Sequence, residues 1–580
     1  MPLPDLLYPE PTLRLDKKLV AQGVAFAYAA GEGGAILENA LREAKIGPSA
    51  FDPSHFAADL FVDELVRACF IVTIDGKSFS PNRAHLANLL VRPPKDAAAC
   101  GFRRAILREL VEAPKLRSDL EQTYVELHEL RQLLGANAAV TVPEQHQHRV
   151  AIMRALKNVI VGLSTRFASS ESGLARLRKY GQELRSREGY AALDDLLRYE
   201  DGLSQVDVSV RVGADGSVRS FALASIKEAT ESRFHQGPAR RFWTRIVLFF
   251  RGYRFGEFEV LARLLDSVFA PFESEIVHLF QVLNDIEVYL GALGFHDYSL
   301  SRGLSVCLPE ILPAPRERSA SPRAIEGLFN PLLFADRGTP KPCNIASKRH
   351  DAIVIVTGPN SGGKTRLLQA LAVTQLLAQN GLFVPAKSAK LAWTQGLFVS
   401  LSHELSAGQR EGRLGTELMR IRALFDELGP GDMVLFDELC SGTNPSEAEA
   451  IIRLVLELLS ELNPQVFMTT HFLDFASELA ENPVVDRLEF LQAALDEKNR
   501  PTYAFTPGVA KSALAAETAA RLGVTLEELA AIVARRKTER RQVADLPREL
   551  SRGEPFSPLA REGGREITAP RPASTSSPSD

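Results

Sequence analysis

Apolar residues recur at intervals of three, four and seven through a long stretch of the chain. The repeat runs through residues 102–134, where Pro114 interrupts it, and continues through residues 150–168 and 173–186. It returns over residues 258–293. Because residues at these intervals share one face of an α-helix, the pattern predicts a long helical region with a helix boundary at Pro114.

A different pattern interrupts this region. Residues 206–224 alternate apolar and polar side chains, and Asp215 and Gly216 stand within the alternation. Alternation is typical of a strand with one buried face, and Asp-Gly is a favoured two-residue turn between strands. The sequence therefore predicts a small β-hairpin near residues 205–224, inserted among the helices.

Three short apolar runs in the second half of the chain each lead into polar residues. AIVIV precedes TGPNSGGKT, MVLF precedes Asp437 and Glu438, and QVFMTT precedes His471. Short continuous apolar runs are typical of buried strands, and helical patterns separate these three. The predicted fold class is therefore multidomain, α and α/β, with a long helical core or lever region followed by an α/β domain.

The segment after the first run has the spacing of a phosphate-binding loop, with Gly358, Gly363, Lys364 and Thr365 at its defining positions. Glycines let successive backbone N–H groups turn toward phosphate oxygens, and the following helix adds the positive end of its dipole. Lys364 would reach the β- and γ-phosphates, and Thr365 would place its hydroxyl on Mg²⁺. The alternative is an ordinary strand-to-helix turn.

The other two runs add an acidic pair and an imidazole. Asp437 is placed to hold Mg²⁺, and Glu438 can polarise an attacking water. His471 could sense the γ-phosphate or that water. The alternatives are a solvated acidic pair and a structural histidine, and the order of the elements favours a catalytic role for Glu438 and His471.

Composition narrows the class of protein. The 580 residues are 45% hydrophobic and 24% charged, with a net charge of -4, which argues against a uniformly basic nucleic-acid-binding surface. The five cysteines are scattered, so neither a disulfide framework nor a zinc site is indicated. The N-terminus lacks the pattern of a signal peptide, and no apolar run reaches membrane-spanning length. We therefore expect a cytoplasmic protein without a membrane segment.

TGPNSGGKT, FVPAKSAK, FDELCSGTNPSEAEA and MTTHF, in this order, resemble the ATPase domain of the MutS family of DNA mismatch-repair proteins. The resemblance is strong over residues 353–472. It implies a homodimeric, ABC-type P-loop ATPase that uses ATP and Mg²⁺, with Thr365 and Asp437 at the metal, Glu438 polarising water and His471 as a switch. It also implies that phosphates are bound by Gly358, Pro359, Asn360, Ser361, Gly362, Gly363, Lys364 and Thr365.

The chain also departs from the family pattern. The Phe-x-Glu motif of the mismatch-reading domain does not occur near the N-terminus, and residues 255–257 carry its letters within the helical region, where packing is the better interpretation. We therefore expect a short form without direct mismatch readout. The Ser-Thr pair that contacts the opposing nucleotide is altered as well, and Ser406 and Thr416 both remain candidates for that contact.

One segment is a candidate for DNA binding. Residues 240–255 interleave arginines with aromatic residues, and Arg240, Arg241 and Arg245 could neutralise phosphates. The alternative, which we favour, is a helix with an apolar face and a solvated basic edge.

These observations predict a MutS-like ATPase that couples ATP binding and hydrolysis to clamping on DNA, in mismatch repair or recombination-related processing. The alternative is an ATP-gated protein-interaction scaffold that does not bind nucleic acid. The predicted divisions are an N-terminal mixed region (1–95), a helical core and lever domain (96–307), a linker (308–335), the ATPase domain (336–500), a C-terminal helix pair (501–541) and a disordered tail (542–580).

Overall fold

The computed structural model describes residues 3–30, 34–136, 142–200, 204–212, 218–228, 265–313, 322–335, 338–401, 413–511 and 523–544. The chain divides into two compact units, Met1–Ala513 and Leu514–Asp580. Within the second unit the structure describes one helix, Leu526–Ala544. All of the elements described below belong to the first unit. The finer domain divisions expected from the sequence stay predictions.

Helices dominate the first 301 residues, as the apolar spacing predicts. They are α1 (Lys17–Ala30), α2 (Gly34–Arg42), α3 (Val62–Cys69), α4 (Arg83–Leu90), α5 (Ala97–Glu112), α6 (Pro114–Gly135), α7 (Val142–Thr165), α8 (Ala175–Arg185), α9 (Glu188–Glu200) and α10 (Glu273–Ser301). The boundary expected at Pro114 is confirmed, because this proline opens α6. At the first helical position its missing N–H costs no hydrogen bond.

The core of this part is α10, which is buried on almost every face. The helical segment Leu265–Ser301 is long and apolar enough to cross a membrane by length and composition, which corrects the expectation that no run reaches that length. However, 94% of its most apolar 18-residue window is buried inside the protein. A helix that is apolar all round is typical of the centre of a large core as well as of a membrane span.

Two hairpins lie among these helices. Strands β1 (Val72–Ile74) and β2 (Lys77–Phe79) pair in antiparallel fashion across a turn in which Asp75 and Gly76 both have positive φ. Strands β3 (Ser204–Val212) and β4 (Val218–Glu228) form a second antiparallel pair. The second pair confirms the hairpin predicted from the alternating pattern.

A four-stranded sheet follows α10. It contains β5 (Glu310–Leu312), β6 (Arg323–Leu328), β7 (Cys343–Ser347) and β9 (Ser388–Ala392) in the order β5-β9-β6-β7. Two of its strands lie in the range expected to be a linker, so that expectation is corrected. The prolines that suggested a linker surround the strands, whereas Arg323–Leu328 alternates buried and exposed side chains.

The second sheet has six strands in the order β10-β11-β12-β8-β13-β14. They are β8 (Ile353–Thr357), β10 (Leu397–Ser400), β11 (Met433–Phe436), β12 (Gln465–Thr469), β13 (Leu488–Leu495) and β14 (Pro501–Pro507). Neighbours are parallel except for the antiparallel pair β13 and β14. The carboxyl ends of β8, β11 and β12 therefore meet at one edge of the sheet, where ligands bind in open α/β folds.

The helices associated with this sheet are α11 (Lys364–Gln379), α12 (Arg413–Glu427), α13 (Pro445–Leu462) and α14 (Leu473–Glu481). The observed fold is thus a mixture of helical and α/β structure, as predicted. One part of the predicted C-terminal helix pair is wrong, because its first residues form β14. The pairing of β14 with β13 is a long-range contact that the local pattern does not show.

Candidate functional site

The loop between β8 and α11 is shaped by glycines. Gly358 has φ of 134° and Gly363 has φ of 86°, values that side chains with a Cβ rarely adopt. A Cβ at Gly358 would also lie 2.8 Å from the Cβ of Ala493 on β13. The helix α11 begins at Lys364, directly after the loop, as predicted. Its N-terminal N–H groups therefore face the loop, which is an arrangement that binds phosphate.

The ammonium group of Lys364 is held inside this loop. Its side chain is only 3% exposed, and Nζ donates to the carbonyl oxygens of Gly358 at 2.9 Å and Pro359 at 3.3 Å. Nζ also lies 3.4 Å from Oε1 of Glu438. A buried cation this close to the loop backbone supplies the charge that a polyphosphate requires.

Two threonines hold Asp437 from opposite sides. Thr365 Oγ1 donates to Asp437 Oδ2 at 2.6 Å, and Thr469 Oγ1 donates to Asp437 Oδ1 at 2.5 Å. The Thr469 hydroxyl in turn accepts the backbone N–H of Glu438 at 2.9 Å. Hydroxyl and carboxylate oxygens are ligands that Mg²⁺ accepts, so Thr365 and Asp437 fit a Mg²⁺ ion that accompanies a nucleotide.

Glu438 lies at the end of β11 in a left-handed backbone conformation, with φ of 51°. Its Oε2 is 3.7 Å from Nδ1 of His471, which follows β12. A non-glycine residue in this conformation costs free energy, and such residues cluster at functional sites. Strand order therefore brings together the residues predicted from three separate apolar runs.

Two residues of this edge were not identified from the sequence. Thr469 lies inside the MTTHF motif, so its position beside a catalytic histidine was a usable signal. Tyr503 on β14 offered none: its ring lies 3.1 Å from where a Cβ on Gly363 would stand, and its φ is 61°. Lys341 Nζ lies 5.3 Å from the centre of that ring. Sheet pairing alone places this aromatic surface beside the loop.

Other candidates are not joined to the site. Thr416 lies in the first turn of α12 and is partly buried. The remaining candidates lie outside the described residues: Ser406, Arg240, Arg241 and Arg245. Within the described ranges no group of three His, Cys, Asp or Glu side chains could hold a metal ion. A Mg²⁺ site here would therefore depend on Thr365, Asp437 and oxygens of a bound nucleotide. All five cysteines are unbridged.

A parallel sheet with a glycine-shaped loop, a buried lysine and an acidic pair at one edge defines a nucleotide-binding α/β protein. Residues 354–538 match the family model described as MutS domain V. That range includes the loop, the acidic pair, His471 and Tyr503. The resemblance to the MutS family stated from the motifs is thereby confirmed.

Curated relatives point to one branch of the family. The chain is 32% identical over 204 residues to a protein named Endonuclease MutS2 from Thermomicrobium roseum, covering 35% of this chain and 25% of the relative. It is 35% identical over 188 residues to the protein of that name from Thermus thermophilus, covering 32% and 25%. For that from Streptococcus uberis the identity is 33% over 176 residues, covering 30% and 22%. The chain thus spans about a quarter of the length of these relatives.

Proposed function

We propose that this protein is an ATPase of the P-loop, ABC-like type that couples ATP binding and hydrolysis to clamping on DNA. The observation that carries the proposal is the hydrogen-bonded cluster of Thr365, Asp437, Thr469 and Glu438 beside buried Lys364. It lies within the residues that match MutS domain V.

Each residue of the cluster has a distinct role in this proposal. Backbone N–H groups of the loop and the ammonium of Lys364 bind the phosphates. Thr365 and Asp437 hold Mg²⁺, which neutralises charge on the phosphate oxygens when bound. Glu438 orients and polarises the attacking water, and His471 fixes the Glu438 carboxylate through their 3.7 Å contact. Thr469 positions both acids, because its hydroxyl contacts one side chain and the other backbone.

Two further features of the proposal rest on the family resemblance. The first is a homodimer in which ATP binding brings two nucleotide sites together and hydrolysis separates them. The second is a DNA target of unusual structure, such as a branched intermediate, held through its backbone and not through mismatch readout. Repair or recombination would be the setting for either activity.

A pair of variants tests the site. Lys364→Ala removes the phosphate-binding cation, so we expect loss of ATP affinity. Glu438→Ala leaves the loop intact, so this variant should retain ATP while turnover stops. Binding of labelled ATP and steady-state phosphate release measure the two effects separately.

Exposed residues supply matched controls. Lys387 forms a surface contact with Glu326, and Glu457 is exposed on α13. Lys387→Ala and Glu457→Ala should both behave as wild type. Hydrolysis that persists in both Lys364→Ala and Glu438→Ala would remove the assignment of the site.

A further inference from the structure

The end of α11 opposite the phosphate loop is packed tightly against the helical region. Gly381 follows this helix with φ of 76°, and a Cβ on it would lie 2.6 Å from the carbonyl oxygen of Cys100 in α5. The Cys100 thiol lies 3.3 Å from the carbonyl oxygen of Ala378, in donor geometry. Asn380 Nδ2 donates to the carbonyl oxygen of Leu90 at 2.8 Å. The contact is therefore both close and hydrogen-bonded.

Arg103 lies at the centre of this contact and is fully buried. Its Nη1 donates to Asn380 O at 3.3 Å and Asn380 Oδ1 at 3.2 Å. Its Nε donates to Leu7 O at 3.1 Å, and the guanidinium lies 5.1 Å from the ring centre of Tyr8. These acceptors are uncharged, so the buried guanidinium depends on their exact placement for its stability. It joins α11 to the N-terminal segment, residues 3–14.

The N-terminal segment is joined in turn to α10. The backbone N–H of Leu6 donates to Asp285 Oδ2 at 3.1 Å, and the Tyr289 hydroxyl donates to the carbonyl oxygen of Leu6. Arg14 pairs with Asp5 at 2.9 Å and also with Asp285. Both Arg14 and Asp285 are buried. A continuous chain of buried polar contacts thus leads from α11 through Arg103 to the central helix.

We propose that Arg103 is a positioning residue that transmits ATP binding from the phosphate loop to the N-terminal segment and α10. This inference rests on the proposed binding of ATP at Lys364. The helix α11 has 16 residues and is about 24 Å long, so it connects the two ends as a stiff element. Tight packing at Gly381 leaves little room to absorb a shift of the helix locally. A shift at the loop is therefore passed to the groups that Arg103 holds.

Hydrogen exchange of the full chain, with and without a non-hydrolysable ATP analogue and Mg²⁺, tests this inference. In the wild type we expect the analogue to slow exchange about twofold or more in the N-terminal segment and α10. Arg103→Lys keeps the charge but loses the forked geometry. It should bind the analogue within about threefold of wild type and lose the remote protection.

The matched control is Arg117→Lys on α6, because Arg117 contacts Glu121 and Asp297 and lies outside this path. It should keep the remote protection. Asn380→Ala is a second variant that removes one acceptor of Arg103, and it should reproduce the Arg103→Lys result even where that protein folds poorly. Circular dichroism confirms that each variant is folded.

The outcomes separate the two proposals. Failure of the wild type to bind the analogue overturns the proposed function together with this inference. Binding without remote protection overturns the inference alone. Remote protection that survives in both folded Arg103→Lys and folded Asn380→Ala also overturns it, because the polar chain then has no part in transmission.

Discussion

At the scale of single residues, Thr469 connects the metal-site acid to the water-polarising acid. Its side chain is fully buried, donates to Asp437 and accepts from the backbone of Glu438. Valine has a similar shape and no hydroxyl, so Thr469→Val removes both contacts with little change in volume. We expect kcat for ATP hydrolysis to fall roughly tenfold or more, because the two carboxylates lose their relative placement.

Steady-state kinetics and equilibrium ATP binding together check this prediction. ATP affinity should change little, since the phosphate loop and Lys364 are untouched. The neighbouring Thr470 is also buried, but its hydroxyl accepts from the backbone of Phe472 and not from either acid. Thr470→Val is therefore the control, and equal kcat values for the two variants would contradict a specific role for Thr469.

At the scale of helices and strands, Glu275 joins α10 to α8. Its carboxylate accepts from Tyr180 at 2.9 Å and Arg187 at 2.7 Å, and lies 3.2 Å from His278. Burial raises the pKa of this carboxyl, but the hydrogen bonds from His278, Arg187 and Tyr180 outweigh burial and lower the pKa from 4.5 to about 2. The ionised form is therefore bound more tightly in the folded state.

A carboxyl with a lowered pKa stabilises the fold above its unfolded-state pKa, and this contribution is lost as pH falls from about 4.5 toward about 2. We expect Glu275→Gln to reduce the free energy of unfolding by about 2 kcal/mol at neutral pH and by progressively less below pH 4.5. Urea unfolding of both proteins across this pH range measures the difference.

The control for this helix is Glu273→Gln. Burial raises the pKa of Glu273, so ionisation of that side chain does not stabilise the fold. Its removal should not cost stability at neutral pH. A Glu275→Gln penalty that is independent of pH would show that packing, and not charge, explains the contribution of this residue.

At the scale of the whole molecule, the open question is whether DNA is bound at all. The net charge of -4 gives no general attraction, so any binding must come from a local group of cations. If the proposed DNA clamp is right, branched DNA should bind at low salt, and affinity should fall steeply, about tenfold or more, as salt rises. Gel shifts with branched, duplex and single-stranded DNA at two salt concentrations measure this.

The same experiment separates the two candidate functions. Absence of binding at low salt, with ATP or without it, would favour a protein-interaction scaffold. A variant with Arg240, Arg241 and Arg245 changed to alanine should reduce the salt dependence by about three phosphate contacts if these arginines bind DNA. An unchanged salt dependence would support the alternative interpretation of that segment as a packed helix with a solvated basic edge.

The sequence by itself determined the local structure and the chemistry of the phosphate loop. Helix periodicity, the break at Pro114 and the Asp-Gly hairpin depend on near neighbours in the chain, and the structure confirms each of them. The loop is a single segment, so Gly358, Gly363 and Lys364 could be identified from spacing alone. Asp437, Glu438 and His471 could be proposed because each directly follows a buried strand.

Only the tertiary structure decided how distant segments meet. Strand order places β12 beside β11, and this gives Thr469 its two contacts across the acidic pair. Pairing of β14 with β13 brings Tyr503 beside Gly363, and packing of α5 on the end of α11 buries Arg103 against Asn380. Such contacts join residues far apart in sequence, and they form because each element must bury its apolar surface against another.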